Sequence, residues 1–173
     1  MARVLTITLN PALDLNAETD SIRLGNVNRS RSTRLEAAGK GINLGRVLSR
    51  LGHTVTVSGL LGEINAAHFD RLFSSDILAD HFVRIPGQNR LIEKISEGDG
   101  RVTDLKWPGF DGPSDALDQL KRRLVISKNR FDAVAIAGSL PGGFRPAAPP
   151  AADVLPPHRH TPGRRDPTDR GPR

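Results

Sequence analysis

A short glycine-rich run, residues 37–43, combines features that suit an anionic or hydroxyl-rich ligand. Lys40 stands between Gly39 and Gly41, Asn43 follows, and apolar residues then recur at helical spacing. Glycine lets a backbone approach a ligand closely, and the free N–H groups and dipole of a helix start favour negative charge. The run therefore predicts a helix start that binds a small ligand, although such a short motif also occurs as a plain turn.

An acidic residue follows the first predicted strand. Residues 3–9 are rich in β-branched side chains and predict a strand, and Pro11 interrupts regular pairing shortly before Asp14. Ligands of open α/β sheets collect at strand ends, and a carboxylate there can accept two sugar hydroxyls. We therefore expect Asp14 and the 39–43 turn to face one pocket. The alternative for Asp14 is an ordinary solvated turn residue.

Arg90 is a candidate for binding a phosphate group. Its guanidinium carries a fixed fork of donors that matches phosphate oxygens, and it opens a predicted strand over 90–96. Lys94 lies on the same strand face, because side chains repeat every second residue. Lys40 is a further cation candidate. The alternative for Arg90 is a solvated arginine at a strand end.

The elements that must position these residues alternate between strands and helices. The 3–9 strand is followed by two polar segments, 12–19 and 29–37, which we interpret as edge strands, and then by a helix that stops at Gly52. Hydrophobic spacing and turn residues predict the remaining elements. The full prediction has helices over 43–51, 65–75 and 116–124, and strands over 54–58, 77–83, 90–96, 102–106 and, as a buried strand, 131–137. This βαβ pattern predicts an α/β fold.

Four motifs in this order resemble those of the ribokinase-like, PfkB-type sugar kinases. They are the sequence at 8–14, the run at 37–43, the strand-opening Arg90, and the sequence at 137–143. The resemblance covers residues 1–144 and implies a ribokinase-like βαβ sheet with a small β-strand lid, truncated at its C-terminal side. It also implies phosphorylation of a sugar phosphate, with fructose 1-phosphate as the substrate of the most similar branch.

The resemblance implies a substrate site and assigns roles within it. Its substrate-binding residues are Asp14, Gly39, Lys40, Gly41, Asn43, Arg90 and Ser139. Asp14 would hold sugar hydroxyls, and Arg90 would bind the phosphate with help from Lys40. The hydroxyl of Ser139 would contact the sugar. Relatives often have an asparagine where Ile92 stands here, which places one expected hydroxyl contact in doubt.

ATP and Mg²⁺ are the cofactors that the resemblance implies, but their binding half is expected to be absent. In the family, a Gly-Ala-Gly-Asp turn in the second half supplies an anion hole and the catalytic aspartate. This tetrapeptide does not occur in the sequence, and the histidines lack metal-ligand spacing. We therefore expect no catalytic residue and no metal ligand in this chain, which should be inactive alone.

Residues 145–173 form a distinct tail. They hold eight of the thirteen prolines and six arginines, with no lysine and no phenylalanine. Proline removes backbone donors, and a segment so poor in apolar groups cannot offset the entropy of being ordered. We therefore expect one folded domain over 1–144 and a disordered tail, whose composition also suggests a frameshifted reading frame.

Composition limits the class of partner. The chain has no cysteine and no apolar run of the ~20 residues that a membrane span needs, so we expect a cytoplasmic protein without a membrane partner. The net charge is +6, of which six arginines and three aspartates of the tail contribute +3, and there is one tryptophan and no tyrosine. These counts argue against specific nucleic-acid binding. A small-molecule sugar phosphate remains the expected partner, with a homodimer through the lid strands as a candidate assembly.

Three alternatives stay open. The acceptor could be tagatose 6-phosphate or fructose 6-phosphate, because related kinases share these motifs. The chain could instead be a non-catalytic fragment that binds sugar phosphate weakly or pairs with intact subunits. It could also be an unstable fragment, since half of a doubly wound sheet exposes apolar surface.

Overall fold

The computed structural model describes residues 1–127 and 130–144, so the predicted tail at 145–173 lies outside the described residues. The described part contains three helices and eight strands. In chain order these are β1 (Arg3–Thr8), β2 (Ala12–Thr19), β3 (Ser32–Ala38), α1 (Lys40–Arg50), β4 (Thr54–Gly62), α2 (Ala67–Ser75), β5 (Ala79–Ile85), β6 (Arg90–Glu97), β7 (Val102–Lys106), α3 (Ala116–Ser127) and β8 (Ala133–Ile136).

Four parallel strands form the core sheet, in the order β5-β4-β1-β8. One face packs against α1 and α2 through Ile42, Phe69 and Phe73, and the other packs against α3 through Ala116 and Leu120. Because both faces are covered, eight of the nine residues of the central strand β4 are buried, as in most parallel strands. This confirms the predicted α/β class. No helix in the described part is long and apolar enough to cross a bilayer.

The remaining strands form a second, smaller sheet, in the order β3-β2-β6-β7, which we call the lid sheet. β2 and β6 run parallel, whereas β3 and β7 pair antiparallel to them. The prediction of a lid is confirmed, but the interpretation of β2 as an edge strand is wrong, since it pairs on both sides. Its polar residues reflect a sheet with one half-exposed face rather than an edge.

Helix α1 begins earlier than its apolar pattern predicts. It starts at Lys40 rather than at residue 43, and the amide of Asn43 already donates to the Gly39 carbonyl at 2.7 Å. The apolar stripe misses this first turn because Lys40 and Gly41 carry no apolar side chain. The predicted end is confirmed, since Gly52 follows the helix with φ +86°.

Strand β8 differs from the prediction of a buried strand. Val134 and Ile136 expose 57% and 74% of their surface, because among the described strands β8 pairs only with β1. Next to this strand, Asp132 receives hydrogen bonds from the Arg3 side chain and from the Arg3 amide. These bonds lower the pKa of Asp132 to about 2. β8 is thus attached to the core sheet along one edge only.

Candidate functional site

The predicted site residues converge where β1 ends and the chain enters the lid sheet. Ala12, the first residue of β2, is in register with Ala38 on one side and with Arg90 on the other. Neighbouring strands lie about 4.8 Å apart, so the backbones of Ala38 and Arg90 flank Ala12 at a separation of about 10 Å. This topology brings the Gly39 turn, the start of β6 and Asp14 into one neighbourhood.

Asp14, Arg90 and Lys94 share one face of the lid sheet, which we call the ligand face. Asp14 is in register with Ile92, which lies between Arg90 and Lys94 on β6, and alternate residues of a strand point the same way. Lys94 Nζ lies 3.3 Å from Asp14 Oδ2. Asp14 therefore lies next to the two cationic residues of β6, with an apolar side chain between them at Ile92 and a second carboxylate, Glu36, in register with Asp14 on β3.

Arg90 is closely packed against neighbouring residues. It is half-buried, and its Nε is buried without a hydrogen-bond partner in the described part of the chain. Gly109 packs against its backbone, because a Cβ at Gly109 would lie 2.6 Å from the Arg90 amide nitrogen. Buried N–H groups normally have a partner, so this orphaned donor is consistent with an arginine that binds an external acceptor.

The glycine turn lies directly over the end of β1. A Cβ at Gly39 would be 3.0 Å from the Thr8 side chain, and a Cβ at Gly41 would be 2.4 Å from Thr8 Oγ1. Gly41 is buried in this contact, whereas Lys40 and Asn43 are exposed. The start of α1 has no side-chain cap and no acidic residue in its first turn, so its N-terminal N–H groups can donate hydrogen bonds to an anion.

Ser139 is connected to the same strand end through Asn10. The Nδ2 of Asn10 donates to Ser139 Oγ at 3.2 Å and to the Leu140 carbonyl at 2.9 Å. Asn10 was not singled out from the sequence, although its place between a strand and Pro11 is a usable signal. It links the ends of β1 and β8, and so brings Ser139 beside the turn that leads to Asp14.

The described residues do not by themselves fit a metal ion. They contain no group of three or more histidine, cysteine, aspartate or glutamate side chains that could hold one. Magnesium prefers several oxygen ligands, and the Asp14 carboxylate is occupied by Lys94.

This parallel core sheet with a lid sheet over its strand ends is the architecture of a sugar kinase, and sequence comparison specifies which kind. A profile described as "pfkB family carbohydrate kinase" matches residues 3–167. The chain belongs to the PfkB family of carbohydrate kinases.

Individual relatives agree with this assignment. The 1-phosphofructokinase of Escherichia coli K12 is 42% identical over 146 residues, which are 84% of this chain and 47% of the relative. That of Vibrio cholerae is 40% identical over 144 residues, covering 83% and 45%. The chain thus spans about half the length of the curated relatives it matches.

Solved structures show the same fold. A possible 1-phosphofructokinase from Thermotoga maritima aligns with a TM-score of 0.73 at 29% identity, covering 83% of this chain and 47% of that one. Phosphofructokinase-2 from Escherichia coli, in complex with fructose-6-phosphate, aligns with a TM-score of 0.72 at 26% identity, covering 84% and 48%. The ribokinase-like α/β fold with its lid is therefore shown for the N-terminal half.

Proposed function

We propose that this chain forms the sugar-phosphate acceptor site of a 1-phosphofructokinase, whose reaction is the ATP-dependent phosphorylation of fructose 1-phosphate to fructose 1,6-bisphosphate. Asp14 accepts hydrogen bonds from sugar hydroxyls. Arg90 binds the phosphate already present on the substrate, and Lys40 adds positive charge. Gly39, Gly41 and Asn43 shape the floor of the site, and Ser139 contacts the sugar.

One observation carries this proposal: the half-buried Arg90 and the Asp14 carboxylate share the ligand face. A guanidinium is suited to a phosphate and a carboxylate to vicinal hydroxyls, so the pair matches the two ends of a sugar phosphate. The identity to 1-phosphofructokinases over most of the chain favours fructose 1-phosphate.

The test is a thermal melt of the full chain with and without fructose 1-phosphate. A ligand that binds only the folded state at about 100 times its Kd stabilises it by about 2.7 kcal/mol. For a domain of this size we expect the Tm to rise by roughly 5–10 °C. Arg90→Ala should abolish the rise, whereas Arg122→Ala, on the exposed surface of α3, should keep it.

The same melt decides between the proposal and its competitors. Absence of any rise with the wild-type chain would refute the acceptor site, and a full rise in Arg90→Ala would refute the role of Arg90. Tagatose 6-phosphate and fructose 6-phosphate are the alternative acceptors, the second because a similar solved structure contains it. A larger rise with either sugar would reassign the substrate.

Phosphoryl transfer is proposed to need more than the described residues. Transfer requires charge stabilisation around the γ-phosphate as well as an oriented acceptor, and the described part offers no metal-binding cluster. We infer that this chain binds the acceptor without turning over ATP when alone. A coupled ATP-turnover assay run beside the melt should therefore stay at background; turnover would show that the chain is catalytic.

We also propose that a second copy of the chain covers the outer face of the lid sheet, which is the face opposite the ligand face. Leu15, Leu35, Ile95 and Leu105 follow the strand register onto this outer face, and Leu35 and Leu105 expose 39% and 44% of their surface. Glu93 lies between Leu15 and Leu105 in this register, and the apolar side chains around it are unfavourable when exposed to water. The similar phosphofructokinase-2 has been solved in a tetrameric inhibited form, which supports assembly in this family.

A further inference from the structure

A closed set of hydrogen bonds joins the core sheet to the start of the lid strand β6. Asn89 Oδ1 accepts from the Gly62 amide at 3.0 Å, and Asn89 Nδ2 donates to the Gly62 carbonyl at 2.9 Å and to Asn65 Oδ1 at 2.7 Å. Asn65 Oδ1 also accepts from the Asn89 amide at 2.8 Å, and Asn65 Nδ2 donates to the Asn89 carbonyl at 3.1 Å. We call these two side chains and the Gly62 backbone the asparagine latch.

Asn89 is buried and its side-chain amide is fully used, whereas Asn65 is partly exposed. Asn89 exposes 1% of its surface, and its oxygen and both amide hydrogens have partners. A Cβ at Gly62 would lie 2.8 Å from backbone atoms of Gly87 and Gln88, so only glycine allows this approach. Because an unpaired polar group is costly when buried, the latch has one stable arrangement.

This arrangement acts directly on Arg90, which is the next residue after Asn89. The hydrogen bonds of the latch hold the chain directly before Arg90, and Gly109 packs against the Arg90 backbone. The backbone of Arg90 is therefore fixed relative to β4. Its buried Nε lacks a protein partner, so hydrogen bonds within the described part do not set the direction of that Nε.

We propose that Asn89, supported by Asn65, is a positioning residue that aims the Arg90 guanidinium at the phosphate of the acceptor. This inference rests on the proposed function, in which Arg90 binds that phosphate. The latch sets the angle between the lid sheet and the core sheet at the point where the phosphate enters. Loss of the latch should therefore weaken the binding of phosphorylated ligands more than the binding of the sugar part.

The discriminating variant is Asn89→Asp. A carboxylate keeps the acceptor for the Gly62 amide but cannot donate, so it would face the Gly62 carbonyl and Asn65 Oδ1 as a third acceptor. Asn28→Asp is the matched control, because Asn28 makes the same pattern in an exposed loop. Its Oδ1 accepts from the Arg23 amide at 2.8 Å, and its Nδ2 donates to the carbonyls of Arg23 and Asn26, both at 3.1 Å.

The experiment titrates the full chain with fructose 1-phosphate and with fructose, following the fluorescence of Trp107. This is the sole tryptophan, and its amide donates to the Leu91 carbonyl beside Arg90. We expect Asn89→Asp to raise the Kd of fructose 1-phosphate at least about tenfold with the Kd of fructose unchanged, as for loss of a charge-assisted contact. Asn28→Asp should bind both ligands like the wild type.

Equal affinity in Asn89→Asp and wild type would overturn the inference, and so would an equal loss for both ligands, which indicates general damage. If Asn89→Asp does not fold, Asn65→Asp replaces it, since this variant loses only the donor to the Asn89 carbonyl. We expect it to weaken fructose 1-phosphate binding about threefold, and unchanged binding would overturn the inference.

Hydrogen exchange separates failure of the inference from failure of the proposed function. If the wild-type chain binds no fructose 1-phosphate, the proposed function fails, and the latch is judged by amide exchange in Asn89→Asp or its replacement. Faster exchange at Arg90–Ile92, with β1 and α1 unchanged, supports positioning of Arg90 by the latch. Unchanged exchange at these residues overturns it.

Discussion

The ion pair between Lys94 and Asp14 offsets one of the negative charges of the ligand face. Lys94 Nζ lies 3.3 Å from Asp14 Oδ2, and both side chains are partly exposed. Exposed pairs of this kind contribute about 0–1 kcal/mol to stability, so the pair has little effect on folding. In the proposed function we expect a larger effect on binding, because Lys94 offsets a negative charge that would otherwise repel an anionic ligand.

We expect Lys94→Met to leave the Tm of the free chain within about 2 °C of the wild type, because the lost ion pair is weak. The Kd for fructose 1-phosphate should rise about fivefold, since the Asp14 carboxylate is then unopposed near the phosphate. Titration followed by Trp107 fluorescence measures this change. Lys121→Met, which removes a charge from an exposed pair on α3, is the control. Unchanged affinity in Lys94→Met would show that Lys94 does not contribute to ligand binding.

Two glycines of α1 lie where the helix packs against the core sheet. A Cβ at Gly41 would lie 2.4 Å from Thr8 Oγ1 and 2.9 Å from the Ile7 carbonyl oxygen. A Cβ at Gly45 would meet only side-chain atoms of Val55, Val57 and Thr6, at 3.1–3.3 Å. The contacts at Gly41 include backbone atoms, which cannot move aside, whereas those at Gly45 involve side chains that can shift slightly.

These contacts predict different results for two alanine substitutions. Alanine gains up to about 1 kcal/mol over glycine within a helix, whereas overpacking costs about 1–3 kcal/mol. Gly41→Ala should therefore destabilise the chain by about 1–2 kcal/mol, and Gly45→Ala should change its stability by less than about 1 kcal/mol. Urea unfolding measures both values, with the m-value unchanged. A stabilised Gly41→Ala would contradict the described seating of α1.

In the proposed assembly, the outer face of the lid sheet is where two whole molecules associate. This face carries four apolar side chains around Glu93, whereas the ligand face carries mostly charged ones. Pairing of two copies through the outer face would bury the apolar side chains and leave the ligand face open.

We expect the wild-type chain to be a dimer at micromolar concentration and Leu35→Asp to be a monomer, because a buried unpaired carboxylate is costly. Size-exclusion chromatography with light scattering measures the masses. Val102→Asp is the matched control, since Val102 exposes 61% of its surface and lies on the ligand face of the same sheet. A monomeric wild type, or a dimeric Leu35→Asp, would refute pairing through this face.

Local patterns were sufficient wherever neighbouring residues decide the conformation. The β-branched run of β1, the hairpin turn between β6 and β7, and the terminating Gly52 were all predicted. Errors arose where a distant partner decides. β2 became an interior strand because β6 pairs with it from 78 residues away along the chain, as the register of Asp14 with Ile92 shows. β8 is exposed because it has one neighbour among the described strands.

The sequence by itself determined the class of fold, the kinase family and the residue types suited to a sugar phosphate, because periodicity and short motifs are local properties of the chain. It also placed Arg90 at the start of a strand, as the structure has it. Only the tertiary structure decided which groups meet: the Lys94–Asp14 pair, the Asn10–Ser139 contact and the asparagine latch. These contacts join residues far apart in sequence, and sheet register, which no local pattern encodes, brings them together.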